Sequence, residues 1–202
     1  MVKDISIYGK MRTLEITTYI GCPFRCGYCP QDLLLSTYKG AKVMSVDDFK
    51  MILENVPKDV QIDFSGFSEF LFHHDYLLFI EMARDYQTIL YSKKWDGEKL
   101  NIDKIIKHNV SEIWSRAGSL FETEEKKGEI RCSITGDKFD HNVVLPNGDV
   151  YICCMDYGLK HKIGNLFTTH YDHLDRDSLR GLMKKGNIIC RYCELSEIIS
   201  NE

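Results

Sequence analysis

Gly21-Cys22-Pro23-Phe24-Arg25-Cys26-Gly27-Tyr28-Cys29-Pro30 is the stretch on which the reading of this 202-residue chain turns. Its three cysteines stand in a C-x3-C-x2-C spacing, directly after Thr13–Ile20, a β-branched and partly alternating run that reads as a strand. Gly21, Pro23, Gly27 and Pro30 supply tight turns that let three thiols converge on one point. An iron–sulfur cluster ordinarily takes four cysteines. A set of three leaves one iron open to a small molecule, as a catalytic zinc keeps an open position. A zinc site would want a fourth ligand close by, yet the next cysteine after Cys29 is Cys132. Disulfides fit less well still, because three close cysteines leave one unpaired and no secretory segment precedes them.

The composition agrees with a protein of this kind. Hydrophobic residues make up 44% of the chain, enough for a real core, and charged residues 28%. No apolar run approaches a membrane span, and the start, MVKDISIYGK, lacks the apolar stretch of a signal peptide. A net charge of −4 with no long basic run argues against nucleic acid as the main partner. Eight cysteines without an export signal point to a reducing cytoplasm and to metal–sulfur chemistry.

Beyond the loop, strands and helices alternate. Residues 31–42 show no clean period and read as a connection. Ser45 reads as the N-cap of a helix whose apolar face is Phe49, Ile52, Leu53 and Val56, stopped by Pro57. Val60–Phe64 is the second strand, and it runs into Ser65-Gly66-Phe67-Ser68-Glu69, a turn whose glycine permits close backbone approach. Tyr76–Tyr86 reads as a helix, Thr88–Tyr91 as a strand, Ile102–His108 as a short helix and Ser111–Trp114 as a fourth strand. This order predicts an α/β fold with a parallel sheet. Ligands then bind at the carboxyl ends of the strands, where the cysteine loop, Gly66–Glu69 and Ser115-Arg116 all fall. Glu122–Glu129 (ETEEKKGE) is a charged linker and the expected boundary between residues 1–121 and 122–202.

The second part has its own cysteine set. Asn142–Leu145 and Asp149–Cys153 read as a hairpin across Pro146-Asn147-Gly148, with Cys132 before it and Cys153-Cys154 at its end. A helix at Ser178–Lys185 precedes Cys190-Arg191-Tyr192-Cys193. Such a bracketed hairpin and a distant C-x-x-C can close around one metal centre, with a four-cysteine structural zinc as the alternative to a cluster.

The cysteine loop resembles the signature of the radical S-adenosylmethionine (radical SAM) enzymes, C-x3-C-x-aromatic-C, with Tyr28 at the aromatic position. Gly66-Phe67-Ser68-Glu69 is similar to a loose form of the Gly-Gly-Glu-Pro segment that holds the SAM amino group in that family, with Phe70 in place of the proline. The cysteine-rich half resembles the SPASM/Twitch extensions, which open with a cysteine, a gap and then Gly-x4-Cys. Here these are Cys132, fifteen intervening residues and Gly148-Asp149-Val150-Tyr151-Ile152-Cys153. The resemblance implies two [4Fe-4S] clusters, one on Cys22, Cys26 and Cys29 with SAM at its open iron. The other would sit on Cys132, Cys153, Cys190 and Cys193, with Cys154 as the alternative to Cys153. It further implies that Arg116, beside Ser115, binds the SAM carboxylate, and that the reduced cluster cleaves SAM to a 5′-deoxyadenosyl radical that takes hydrogen from a substrate. The fully ligated second cluster suits an electron relay, making the net reaction a two-electron oxidation.

The family offers two substrate classes: a small polar molecule, as in its aminocyclitol dehydrogenase, or a peptide or protein side chain. The lack of a leader-binding segment around the core leans toward the first. A non-catalytic electron carrier or scaffold is the reading from another class. An external electron donor such as flavodoxin or ferredoxin is the implied redox partner. Family cores usually have six βα units, whereas about four strand candidates fit before residue 118. The expectation is therefore a shortened partial barrel whose missing wall comes from the cysteine-rich half, a second copy of the chain or the substrate.

Overall fold

The structure is a computed structural model that describes residues 11–107 and 113–199. Its centre is a seven-stranded sheet. Four parallel strands come from the first half: β1 (Thr13–Ile16), β2 (Gln61–Phe64), β3 (Thr88–Ser92) and β4 (Lys104–Lys107). The second half adds β6 (His141–Val144), β7 (Asp149–Tyr151) and β8 (Lys162–Asn165), giving the order β4-β3-β2-β1-β6-β7-β8. A separate antiparallel pair joins β5 (Ile130–Cys132) to β9 (Ser196–Ile198). This is the expected α/β class with a mostly parallel sheet.

The decisive pairing is parallel, β6 against β1, with Thr13 opposite His141 and Ile16 opposite Val144. The sheet is therefore continuous across the charged stretch at residues 122–129. β6 then turns back through Pro146-Asn147-Gly148, where Gly148 has φ of +77° and an added Cβ would lie 2.8 Å from the Phe167 ring. The expected hairpin is present, and β7 pairs antiparallel with both β6 and β8.

One face of the sheet is apolar. Leu14, Ile16, Ile62, Phe64 and Leu90 are buried there against α2 (Val46–Glu54) and α3 (Tyr76–Met82). Phe49 stacks on Phe79 at 4.4 Å and Phe64 on Phe70 at 4.2 Å. Ser45 caps α2 through a reciprocal box, its Oγ accepting from Asp48 N at 3.1 Å while the Asp48 carboxylate accepts from Ser45 N at 3.0 Å. The two-residue alternation of strands turns Glu15 of β1 and Asp63 of β2 to the opposite face, where they stand side by side in register.

Two elements differ from the sequence reading. Residues 31–37 form a helix, α1 (Gln31–Thr37), rather than a connection; it is seven residues long, too short to show a period, and is anchored by fully buried Leu34. Ile102–His108 is not a helix within the described residues: Lys104–Lys107 is β4. Ile102, Ile105 and Ile106 have helical spacing, but β3 offers an open edge and Asp103 fastens the chain to it by accepting from Thr88 N at 2.7 Å. Lysines at both ends suit an edge strand. The strand expected at Ser111–Trp114 falls largely outside the described residues, and Ile113 and Trp114 are exposed. The fourth parallel strand is thus Lys104–Lys107. A fourth helix, α4 (Asp177–Lys185), matches its expected position.

The polar face carries a measurable electrostatic load. Burial, then the neighbouring charge of Glu15, push the Asp63 carboxyl up to about 7. Glu15 itself is held down to about 2: burial acts against this, but the hydrogen bond and charge of His141 outweigh it. A raised carboxyl binds its proton more tightly when folded, so its contribution is complete near pH 4 and is lost as pH rises toward 7. The contribution of Glu15 disappears only as pH falls toward 2, outside that window. Asp63→Asn should raise the urea midpoint at pH 8, with the gain shrinking toward pH 5. The fall that persists in the variant belongs to His141, whose raised folded value acts in the same direction. Parallel pH profiles for the two proteins would count against this assignment.

Candidate functional site

The cysteine loop leaves the carboxyl end of β1 and is pinned at its base, where Met44 N donates to Thr18 O and Ile20 N to Lys42 O, both at 2.8 Å. Gly21 enters it with φ of +101°. Cys29 N donates to Cys26 O at 3.0 Å and Gln31 N to Cys29 O at 2.9 Å, curling Cys26–Cys29 into a tight turn. Cys22, Cys26 and Cys29 are all half-buried. Burial raises the Cys22 thiol, opposed by backbone N–H groups of Phe24 and Glu69 and reinforced by the charge of Cys29. The Tyr28 hydroxyl is pushed up by burial and then by Cys26 and Cys29. The three sulfurs thus share one small region.

Donors from outside the loop face these sulfurs. Lys93 Nζ lies 3.5 Å from Cys26 Sγ, Gln31 Nε2 3.3 Å from Cys29 Sγ, and the Tyr157 hydroxyl 3.2 Å from Cys29 Sγ. Gln31 also donates to Phe67 O at 2.6 Å, linking the cysteine loop to the Gly66–Glu69 turn. The sequence reading missed Gln31, Lys93 and Tyr157. Gln31 adjoins the motif, but only the fold brings the other two to it.

Gly66 has φ of +72°, and an added Cβ would lie 2.3 Å from Thr17 Oγ1, so this turn crosses β1 where a side chain has no room. Gly66 N and Ser65 Oγ both donate to Glu15, at 3.0 and 2.9 Å. Phe67 is buried and packs 4.5 Å from the Tyr157 ring. Glu69 is buried and committed within the fold, accepting from Ser92 Oγ at 2.6 Å and Lys93 N at 2.8 Å. Ser68 Oγ and Gln31 Oε1 are instead buried with no hydrogen-bond partner among the described residues. Orphaned polar atoms of this kind are costly and call for a ligand or water.

Ser115 and Arg116 reach the same place by a strained turn. Arg116 and Ala117 have φ of 54° and 52°, left-handed values that cost non-glycine residues energy and cluster at functional sites. Ser115 is buried, its N–H donating to Glu194 and its Oγ accepting from Gly118 N at 3.0 Å. Arg116 Nε donates to Tyr28 O at 3.2 Å, and the guanidinium faces the charges of Tyr157, Cys154, Cys29 and Glu15. It is a cation placed between the cysteine loop and the end of β7.

The second cysteine set is assembled by a different route. β5 and β9 pair with Cys132 opposite Ser196, which seats Cys132 beside the Cys190–Cys193 turn. That turn is closed by Cys193 N donating to Cys190 O at 3.2 Å, and Ser196 Oγ donates to Cys190 O at 2.5 Å. Arg191, between the two cysteines, is 5% exposed yet spends its donors on four carbonyls: Gly186 at 2.7 Å, Lys126 at 2.8 Å, Gly128 at 2.9 Å and Met183 at 3.2 Å. Burial and then the charges of Cys154, Cys190 and Cys193 push the Cys153 thiol well up; Cys193 is raised to about 11, chiefly by burial, with Cys132 adding.

Cys153 and Cys154 part company at the end of β7. Cys153 packs with Cys190 and Cys193 in the main core, whereas Cys154 packs with Cys29, Phe67 and Tyr157 on the other side. Glu15 and Arg116, not the C-x-x-C turn, dominate the surroundings of Cys154. The structure therefore brings Cys132, Cys153, Cys190 and Cys193 together and leaves Cys154 facing the first site.

The donor sets fit iron–sulfur clusters. Each is all sulfur, and the crowded thiols of the second set, two of them buried, ionise readily only against cationic charge. Among the described residues, the one His, Cys, Asp or Glu triplet with donor atoms within 4.8 Å of one another is His73, His74 and Asp75. Sulfurs around a tetrahedral zinc would sit about 3.8 Å apart, so neither cysteine set has single-ion spacing. His73 is committed otherwise, with Nε2 3.0 Å from Met44 O and Nδ1 accepting from Asp75 N at 3.1 Å.

Arg191 gives this part of the site a direct test. Lysine has neither the planar fork nor enough donors to replace it. Arg191→Lys should cost roughly 2 kcal/mol in urea unfolding, on the scale of lost hydrogen bonds to a charged group. Unchanged stability would show that the four carbonyl contacts do not hold the Cys190–Cys193 turn.

Comparison with known proteins agrees with this geometry. Residues 132–194 match the family model of SPASM, an iron–sulfur cluster-binding domain. Among solved structures, BtrN in complex with AdoMet and 2-DOIA matches with a TM-score of 0.63 and 18% identity, covering 87% of this chain and 88% of that one. BtrN in an open conformation gives 0.65 and 20%, covering 91% and 92%. Streptococcus suis SuiB bound to precursor peptide SuiA gives 0.56 and 13%, covering 92% and 70%. No curated protein matches the chain. No helix among the described residues is long and apolar enough to cross a membrane. The chain thus shares the fold of BtrN and SuiB, and its residues 132–194 match the model of the SPASM iron–sulfur cluster-binding domain.

Proposed function

We propose that this chain is a radical SAM enzyme with two [4Fe-4S] clusters, one on Cys22, Cys26 and Cys29 and one on Cys132, Cys153, Cys190 and Cys193. The observation that carries the reading is the split at Cys153-Cys154. It leaves a complete four-sulfur set on one side of the sheet and an incomplete three-sulfur set on the other, next to unpartnered polar atoms and the half-buried Arg116. Cys22, Cys26 and Cys29 would hold the first cluster, which when reduced would supply the electron for reductive cleavage of SAM and so for hydrogen abstraction from the substrate.

The chain's own residues position and shield that chemistry. Arg116 offers a guanidinium to the SAM carboxylate. Gln31 Oε1 and the Gly66-Phe67-Ser68 backbone offer acceptors for its amino group, and Ser68 Oγ lies beside them. Glu69 fixes the turn from behind by gripping the end of β3. Glu15, Asp63 and His141 line the polar face of the sheet and make it a floor suited to a polar substrate. In the Cys132/Cys153/Cys190/Cys193 centre, Cys190 and Cys193 are buried and Cys132 and Cys153 half-buried, and its four sulfurs suit an electron relay. Residues 1–121 and 122–202 form the core and extension that share the one sheet.

Oxidation of a small polar molecule is the preferred reading, supported by the similarity to BtrN, which was captured with AdoMet and 2-DOIA. Side-chain modification of a peptide is the second, favoured by the similarity to SuiB bound to its precursor peptide. Either needs an external donor of the flavodoxin or ferredoxin type and a reducing cytoplasm. A second copy of the chain remains a candidate for closing the sheet beyond β4.

Anaerobic reconstitution tests the reading. Wild-type protein should bind about eight irons and eight sulfides and release 5′-deoxyadenosine from SAM under reduction, on the four-iron, four-sulfide composition of each cluster. A Cys22/Cys26/Cys29 triple alanine variant should keep one cluster and release none. No 5′-deoxyadenosine from the loaded wild type would leave the chain a non-catalytic iron–sulfur protein.

A further inference from the structure

The segment from Cys153 to Tyr157 touches both cysteine sets. Cys153 packs against Cys190 and Cys193, and four residues later the Tyr157 hydroxyl reaches Cys29 Sγ at 3.2 Å. The intervening turn is firmly built. Asp156 N donates to Cys153 O at 3.1 Å, and the Asp156 carboxylate accepts from Lys160 N at 2.9 Å and His161 N at 2.8 Å. His161 Nε2 in turn accepts from Ile189 N at 3.1 Å, tying the turn to the residue before Cys190. Tyr157 is 4% exposed, with its ring against Phe67, whose N–H is held by Thr17 Oγ1 at 3.0 Å. Its hydroxyl has little freedom to leave the sulfur.

We propose that Tyr157 is a positioning residue of the SPASM half that donates a hydrogen bond to the Cys29 thiolate and so sets the reduction potential of the first cluster. The proposal rests on the reading of Cys29 as a cluster ligand. A tyrosine hydroxyl carries its proton at neutral pH, and a coordinated thiolate can only accept. Hydrogen bonds to ligating sulfur are among the factors that set cluster potentials, and they favour the reduced, more negative state. Gln31 Nε2 is the second donor to the same sulfur, but it comes from the loop's own flank. Tyr157 comes from a segment that also carries a ligand of the other centre. The second half therefore acts on the first cluster through a bond as well as serving as an electron relay.

The test is an anaerobic redox titration followed by electron paramagnetic resonance on fully loaded protein. The first cluster's signal is identified as the one missing from the Cys22/Cys26/Cys29 triple alanine variant. If that variant loses no cluster, the two-cluster reading fails, independently of Tyr157. With the assignment made, Tyr157→Phe should lower the midpoint of the first cluster and leave the second unmoved. Replacing Tyr157 with 3-fluorotyrosine, a stronger donor of nearly the same size, should raise it. An unmoved first midpoint in the fluorinated protein, or equal shifts of both clusters, overturns the proposal. If the phenylalanine variant fails to load, the fluorinated protein alone decides.

Discussion

The parallel ladder between β1 and β6 is the constraint on which the rest depends. Thr13 to Ile16 pair with His141 to Val144, and Thr17 N adds a bond to Val144 O at 3.0 Å. This contact joins residues more than a hundred positions apart and makes one sheet out of two cysteine-bearing halves. Because β1 ends at the cysteine loop, the ladder delivers the β6–β7 hairpin to the edge of that loop. The end of β7 then arrives beside Cys29 with one cysteine on each side. Without this ladder, the Cys153–Tyr157 segment has no fixed relation to either site.

The polar side of that sheet follows from the same registry. Glu15 stands beside Asp63 across β1 and β2, and His141 closes on Glu15 at 2.8 Å from β6. Two adjacent buried carboxyls would repel, so the arrangement holds by giving Glu15 a histidine, a hydroxyl and a backbone N–H while Asp63 holds its proton to higher pH than an ordinary carboxyl. The cost of burying polar groups is thus met by a shared network. That network also spaces the Gly66 turn, through Gly66 N and Ser65 Oγ on Glu15. Floor, turn and cysteine loop are parts of one structure.

The chemistry was more legible in the sequence than the architecture. Cys22, Cys26 and Cys29 are local to one loop, so spacing alone gathers them, and the Asn147-Gly148 turn announces its hairpin. The Ser45 cap and the apolar face of α2 are likewise local signals. What the sequence withheld is non-local. Lys104–Lys107 has helical spacing but joins an open strand edge, a choice made by β3. No local pattern indicates that β6 pairs with β1 rather than with a partner inside its own half. Tyr157 and Lys93 acquire their sulfur contacts only after that pairing. Which side of the sheet Cys153 and Cys154 each occupy is likewise non-local, set by the packing around the end of β7.

If the two cysteine sets hold clusters, their different completeness leaves an open iron only at the three-cysteine site. Low-temperature electron paramagnetic resonance of the reduced, fully loaded protein, recorded before and after addition of SAM, tests it most directly. SAM should change the signal of the Cys22/Cys26/Cys29 cluster and leave the other unchanged. A spectrum indifferent to SAM, or a change in the Cys132/Cys153/Cys190/Cys193 signal, would contradict it.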